Sequence, residues 1–129
     1  MKHVVLMVED DIWLAQMYAD ALESDKSCRV LHAATADEAL EQLDANSEVE
    51  LIVLDMFLPE HNGIEFLHEI ASYGDLNSLP IVVLSSVSEH DLGMNTERWR
   101  HYGVVSYLYK PATKPYDLLV EVKKQIAVL

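Results

Sequence analysis

"LIVLDMFLP", residues 51–59, decides the fold. Its first four residues are apolar without a break, rather than alternating with polar ones, which reads as a strand covered on both faces. The run then ends on a carboxylate, Asp55, and resumes before Pro59. A charge at the tip of a buried strand is expensive unless something pairs with it, so the rest of the chain has to supply the partner.

Working outward, short apolar runs alternate with longer segments of helical period. Residues 4–8 precede 12–22, residues 28–33 precede 36–43, and residues 51–54 precede 64–71. Residues 81–84 are followed by a polar segment at 89–101, and residues 104–109 by 116–128. Repeated strand-helix units of this length predict an α/β fold, a single doubly wound five-stranded parallel sheet with five helices on its two faces. Ile12, Ala15, Ala19 and Leu22 form one helical stripe, and Ala36, Ala39, Leu40 and Leu43 another; both read as core faces. Thr35 followed by Glu38 predicts a capping box, and Pro115 suits a first helical turn. The fourth helix is thin in apolar residues (Leu92, Met94, Trp99), and Gly93 within it costs about 1 kcal/mol relative to Ala. A low-stability element is expected there. "CRVLHA", residues 28–33, interrupts its pattern with Arg29 and His32, which marks the second strand as an edge. No linker or repeat divides the chain, so residues 1–129 read as one domain.

Bulk composition narrows the function. A chain of 129 residues, 50% hydrophobic, can bury one core. No apolar stretch approaches the roughly 20 residues of a membrane span, and MKHVVLMVED turns acidic too early for a signal peptide. A soluble, cytoplasmic protein is expected, and the single cysteine, Cys28, fits a reducing compartment. Nine Lys and Arg face 22 Asp and Glu, a formal charge of −13, which argues against direct nucleic-acid binding. The six histidines show no ligand spacing.

The strand reading places the chemistry. Glu9 and Asp10 follow the first strand, Asp55 the third, Ser85 the fourth and Lys110 the fifth. In a parallel sheet these ends share one edge, where ligands of open α/β sheets bind. Three carboxylates in one cleft either take up protons or hold a cation, and an all-oxygen set suits Mg²⁺ better than Zn²⁺. Taken singly, each residue has a plainer role: Asp10 or Asp11 as a helix cap, Ser85 as a strand-end hydroxyl bonded to backbone, Lys110 as an exposed lysine before a proline. Those roles do not predict acid, acid, hydroxyl and ammonium at four ends of one edge.

With "VVLMVEDD", "LIVLDMFLPEHNG" (Asp55, Pro59, Gly63), "PIVVLSS" and "YLYKP" in this order, the whole chain resembles the receiver domain of bacterial response regulators. The resemblance implies a flavodoxin-like strand order, 2-1-3-4-5. It implies that Asp55 accepts a phosphoryl group from a histidine kinase or a histidine phosphotransfer protein. Asp10, Asp55 and the main-chain carbonyl of Phe57 would ligate Mg²⁺, with Glu9 acting through water. Lys110 would pair with the phosphoryl oxygens and Ser85 would bond one of them. Tyr107 would follow Ser85 and carry the change to the face of the fourth helix, fifth strand and fifth helix. Small Ser86 keeps the approach to Asp55 open. A monomer or weak dimer with an unassigned downstream effector is expected.

The chain departs from the pattern in places. The 25-residue interval from Ser85 to Lys110 is longer than usual in the family. After "YLYKP" the family usually has phenylalanine, and here Ala112 precedes a "TKP" that adds one residue. Ser85 replaces the commoner threonine. Phe57 and Val87, flanking the site, cannot orient a water, which predicts slow hydrolysis of a phosphoryl-aspartate. Two other readings compete. An aspartate-nucleophile phosphatase of the haloacid dehalogenase kind would need a general acid at position 57, which is Phe. A receiver-like scaffold would work by protein binding without phosphorylation. The apolar ending, "KKQIAVL", leans toward a receiver cut from a longer chain over a stand-alone regulator.

Overall fold

The computed structural model describes residues 2–58 and 61–129; Pro59, which contributes to the family spacing, lies outside them. Strands β1 (His3–Val8), β2 (Cys28–Ala33) and β3 (Val49–Leu54) alternate with helices α1 (Ile12–Glu23) and α2 (Ala36–Ala45). A two-residue antiparallel ladder, β4 (Phe57–Leu58) with β5 (His61–Asn62), leads into α3 (Gly63–Ser72). Then come β6 (Ile81–Ser85), α4 (Glu89–Leu92), α5 (Thr96–His101), β7 (Val104–Tyr109), a 3₁₀ turn (Lys110–Ala112) and α6 (Pro115–Ile126). The main sheet is parallel and ordered β2-β1-β3-β6-β7, which is 2-1-3-4-5 when only its own strands are counted.

The continuous apolar runs are explained by two cores, one on each face. Side chains alternate across a strand. Leu6, Val8, Ile52, Leu54, Ile81 and Val83 pack against Ala36, Ala39, Phe66, Leu67, Ile70 and Trp99 on one side. Val5, Met7, Leu51, Val53, Val82 and Leu84 pack against Ala15, Tyr18, Leu22, Leu118 and Val122 on the other. The interrupted strand, β2, is at an edge, with Arg29 and His32 exposed.

Helix starts follow the capping residues. Asp11 Oδ1 accepts from Leu14 N at 3.0 Å and opens α1, which leaves Asp10 out of the cap. Thr35 caps α2 by accepting from Glu38 N, but Glu38 reaches back to Ala34 N instead of the Thr35 N–H, so the predicted box is closed one residue earlier. Pro115 occupies the first turn of α6. Gly63 is required by a close approach: a Cβ there would stand 2.6 Å from Met56 Cα, so the residue after Asp55 packs directly on the start of α3.

Two expectations change. Ile12 is 68% exposed, and the buried stripe of α1 runs through Ala15, Tyr18 and Leu22. The periodicity picked the right helix, but its first residue is not part of the buried face. The segment 89–101 is two helices: Gly93, with φ of 67°, ends α4 in the left-handed region, and Asn95 Oδ1 restarts the chain by capping α5 at Arg98 N. Among the described residues six α-helices therefore stand where five were expected. Gly93 is a helix stop, where a left-handed residue favours glycine, and not a weak point inside a helix.

Candidate functional site

Among the described residues the buried polar or charged side chains are Glu9, Asp55 and Ser85, at 4%, 6% and 0% exposure. All three follow or end strands at the carboxyl edge of the sheet. The ladder carries them there: Glu9 N–H donates to Ala33 O at 3.0 Å and Asp55 N–H to Val8 O at 2.9 Å, so each carboxylate is fixed by the register of its strand. Asp55 Oδ1 also accepts from Phe57 N at 3.1 Å.

Glu9, exposed Asp10 and Asp55 each offer a carboxylate oxygen within 4.8 Å of the others. Lys110, at the end of β7, brings Nζ to 2.5 Å from Glu9 Oε1 and 3.2 Å from Asp55 Oδ2, and its side chain is largely buried. This ammonium is the partner that the buried aspartate requires. Glu9 bonds Lys110 directly and accepts from Asp11 N at 3.2 Å with its other oxygen.

One ammonium does not balance three carboxylates. Burial pushes the Glu9 carboxyl up to about 7; Lys110 pulls it down and Asp55 adds to the rise. Burial works against the Lys110 ammonium, but Glu9 and Asp55 outweigh it and its pKa is raised. An all-oxygen cluster short of positive charge fits a hard divalent cation and offers nothing to a softer metal.

Ser85 Oγ accepts from Val87 N at 3.1 Å. The carbonyl of the same Val87 accepts from the Tyr107 hydroxyl, and the Tyr107 ring lies 5.4 Å from that of Trp99, tilted by 52°. Val87 thus links the serine at the cleft to a half-buried tyrosine on β7 and, through Trp99, to α5. Ser86 is exposed beside the cleft, and Phe57 is 47% exposed. Two features were not legible in the sequence. His32, on the edge strand, has Nε2 at 2.7 Å from Glu9 O, and Tyr18 of α1 donates to Thr113 O at 2.9 Å. No motif marks either residue, because each acts on backbone.

The five-stranded doubly wound sheet thus carries an acidic cleft and a lysine together at its carboxyl edge. The family model for the response regulator receiver domain matches residues 5–123, and the chain belongs to that family. It is 30% identical over 107 residues to the transcriptional regulatory protein MalR of Bacillus subtilis, covering 83% of this chain and 43% of that protein. It is 30% identical over 122 residues to a protein-glutamate methylesterase/protein-glutamine glutaminase of Rhodospirillum rubrum, covering 95% and 32%. A putative response regulator from Chloroflexus aurantiacus superposes with a TM-score of 0.82 at 26% identity, covering 98% of this chain and 99% of that one. The chain thus spans less than half of those two curated relatives. Among the described residues no helix is long and apolar enough to cross a membrane.

Proposed function

We propose that residues 1–129 form one receiver domain in which Asp55 accepts a phosphoryl group from a histidine kinase or a histidine phosphotransfer protein, a transfer favoured by Mg²⁺. The single observation that carries the reading is the Lys110 ammonium, 3.2 Å from a buried Asp55 carboxylate that has Glu9 and Asp10 beside it. An Asp55 oxygen attacks phosphorus and forms the O–P bond as the P–N bond to the donor imidazole breaks; the electron pair of that bond stays on the ring nitrogen, which takes a proton from solvent. Both reactants are anionic, so the developing charge needs compensation. Lys110 supplies part of it. Asp10, Asp55 and the Phe57 carbonyl would hold Mg²⁺, with Glu9 in its outer sphere, and the bound ion would supply the remaining positive charge.

The Ser85 hydroxyl, whose Oγ accepts from Val87 N, then turns to donate its O–H to a phosphoryl oxygen, and the shift of Oγ loosens the Val87 backbone whose carbonyl Tyr107 holds. The added charge biases a hydroxyl and a ring with two positions each, and the face of α4, α5, β7 and α6 reads out the result. Ser86 leaves the approach open. The domain acts as a cytoplasmic signalling switch, a monomer or weak dimer, and Phe57 stands where a phosphatase of the aspartate-nucleophile kind would need its acid.

The test is intact-mass measurement after incubation with Mg²⁺ and a small acyl phosphate. A gain of one phosphoryl mass is expected, abolished by a chelator and by Asp55→Asn. No gain in the wild-type protein overturns the reading. Partner binding and output in vivo that survive Asp55→Asn unchanged would favour the scaffold instead.

A further inference from the structure

We propose that Tyr18 is a positioning residue for Lys110: its hydroxyl, by holding the Thr113 carbonyl, clamps the loop after β7 to α1 and keeps the Lys110 ammonium on Glu9 and Asp55. The phosphoryl-transfer consequence rests on the function proposed above; the placement of Lys110 does not.

Tyr18 is 2% exposed, and its ring sits in the core between α1, α6 and the sheet. A buried phenol needs a partner for its O–H. That partner is Thr113 O at 2.9 Å, 95 positions away in sequence. Burial raises the Tyr18 pKa, so the hydroxyl is a donor at any physiological pH.

Thr113 ties that bond to Lys110. Its N–H donates to Lys110 O at 3.0 Å, and its Oγ1 donates to Tyr109 O at 2.8 Å. The residue therefore fixes both sides of Lys110 through backbone, and Tyr18 fixes the residue. Between Lys110 and Lys114, Pro111 and Ala112 are exposed, and the next backbone anchor, Lys114 N to Asp117 Oδ2, belongs to the start of α6. α1 begins at the Asp11 cap, beside Glu9 and Asp10, so one helix holds the acidic loop at its first turn and the lysine loop about two turns on. The distance between ammonium and carboxylates is set by that helix as a strut. A hydroxyl that served only general packing would have no reason to point at the one loop residue bonded to Lys110.

Wild type and Tyr18→Phe, which keeps the ring, are compared in two ways. Lysine labelling by a limiting amine-acylating reagent, read by peptide mapping, reports Lys110 without any phosphorylation. Several-fold faster labelling at Lys110 in Tyr18→Phe is expected, with Lys123 and Lys124 unchanged; labelling of Lys110 at the wild-type rate overturns the proposal. Phosphorylation by a small acyl phosphate with Mg²⁺ is expected to slow several-fold in Tyr18→Phe and to fall no further when Tyr18→Phe is added to Lys110→Ala, because both act through one group. Independent, multiplying effects would also overturn it. A wild-type protein that takes up no phosphoryl group would instead defeat the function proposed above, while the labelling result still decides the role of Tyr18.

Discussion

Lys110 Nζ stands 3.2 Å from Asp55 Oδ2 although 55 positions separate them in the chain. The pair exists because β3 and β7 flank β6 in one parallel sheet and end at the same edge. Removing the amine leaves Asp55 and Glu9 buried with no opposite charge. Lys110→Ala is expected to slow phosphoryl uptake by about a hundredfold, the scale of losing one transition-state donor. It should also destabilise the fold by about 2 kcal/mol near pH 8 and by less near pH 5, where Glu9 takes a proton. Denaturant titration at both pH values checks the second outcome. Equal losses at both would contradict it.

Glu9 makes stability depend on pH in an unusual direction for a carboxylate. Its folded pKa is about 7 against an ordinary 4.5, chiefly through burial, so the folded state holds a proton that the unfolded chain releases. Metal-free stability is therefore full below about pH 4.5 and is lost as the pH rises through about 7, by an amount on the order of 2 kcal/mol. Glu9→Gln is expected to flatten this window. Unfolding curves of both proteins, recorded in a chelator across the window, give the comparison; a Gln variant with the wild-type slope would contradict it.

Gly93 predicts a reversal. Inside a helix, Gly→Ala would stabilise by about 1 kcal/mol. At φ of 67° with open space around it, Ala meets no clash but must hold a left-handed backbone, so Gly93→Ala is expected to cost about 1 kcal/mol. The sign of the change in unfolding free energy decides between one helix and two.

Phe57 and Val87 would give a phosphoryl group on Asp55 no side chain that orients water. Phe57 is exposed at the cleft and bonds to Asp55 only through its N–H. A long-lived modification is expected, with its decay accelerated in Phe57→Asn. The loss of phosphoryl mass with time measures both; a lifetime of seconds that Phe57→Asn leaves unchanged would count against this.

Much of this was written in the order of residues. Unbroken apolar runs identified strands covered on both faces, Arg29 and His32 identified the edge, and polar residues at strand ends brought Glu9, Asp10, Asp55 and Lys110 together because the strands are parallel, with Ser85 ending β6 between β3 and β7. Local contests were harder to read. Gly93 is followed by Asn95, a capping residue that restarts a helix, and a 3.6-residue period alone does not distinguish a continuous segment from a broken one. Ile12 fits the apolar stripe of α1 yet is exposed, and spacing alone does not tell where along a helix the covering core begins. Tyr18 and His32 were invisible because they bond to main-chain carbonyls, and a carbonyl leaves no trace in residue identity.

The central claim is tested most directly by where a phosphoryl group lands. The protein is treated with Mg²⁺ and a small acyl phosphate, reduced with borohydride to convert any aspartyl phosphate to homoserine, and digested for peptide sequencing by mass. The account predicts homoserine at position 55 alone. Modification confined to Asp10 or to Ser85, or none at all, would contradict it.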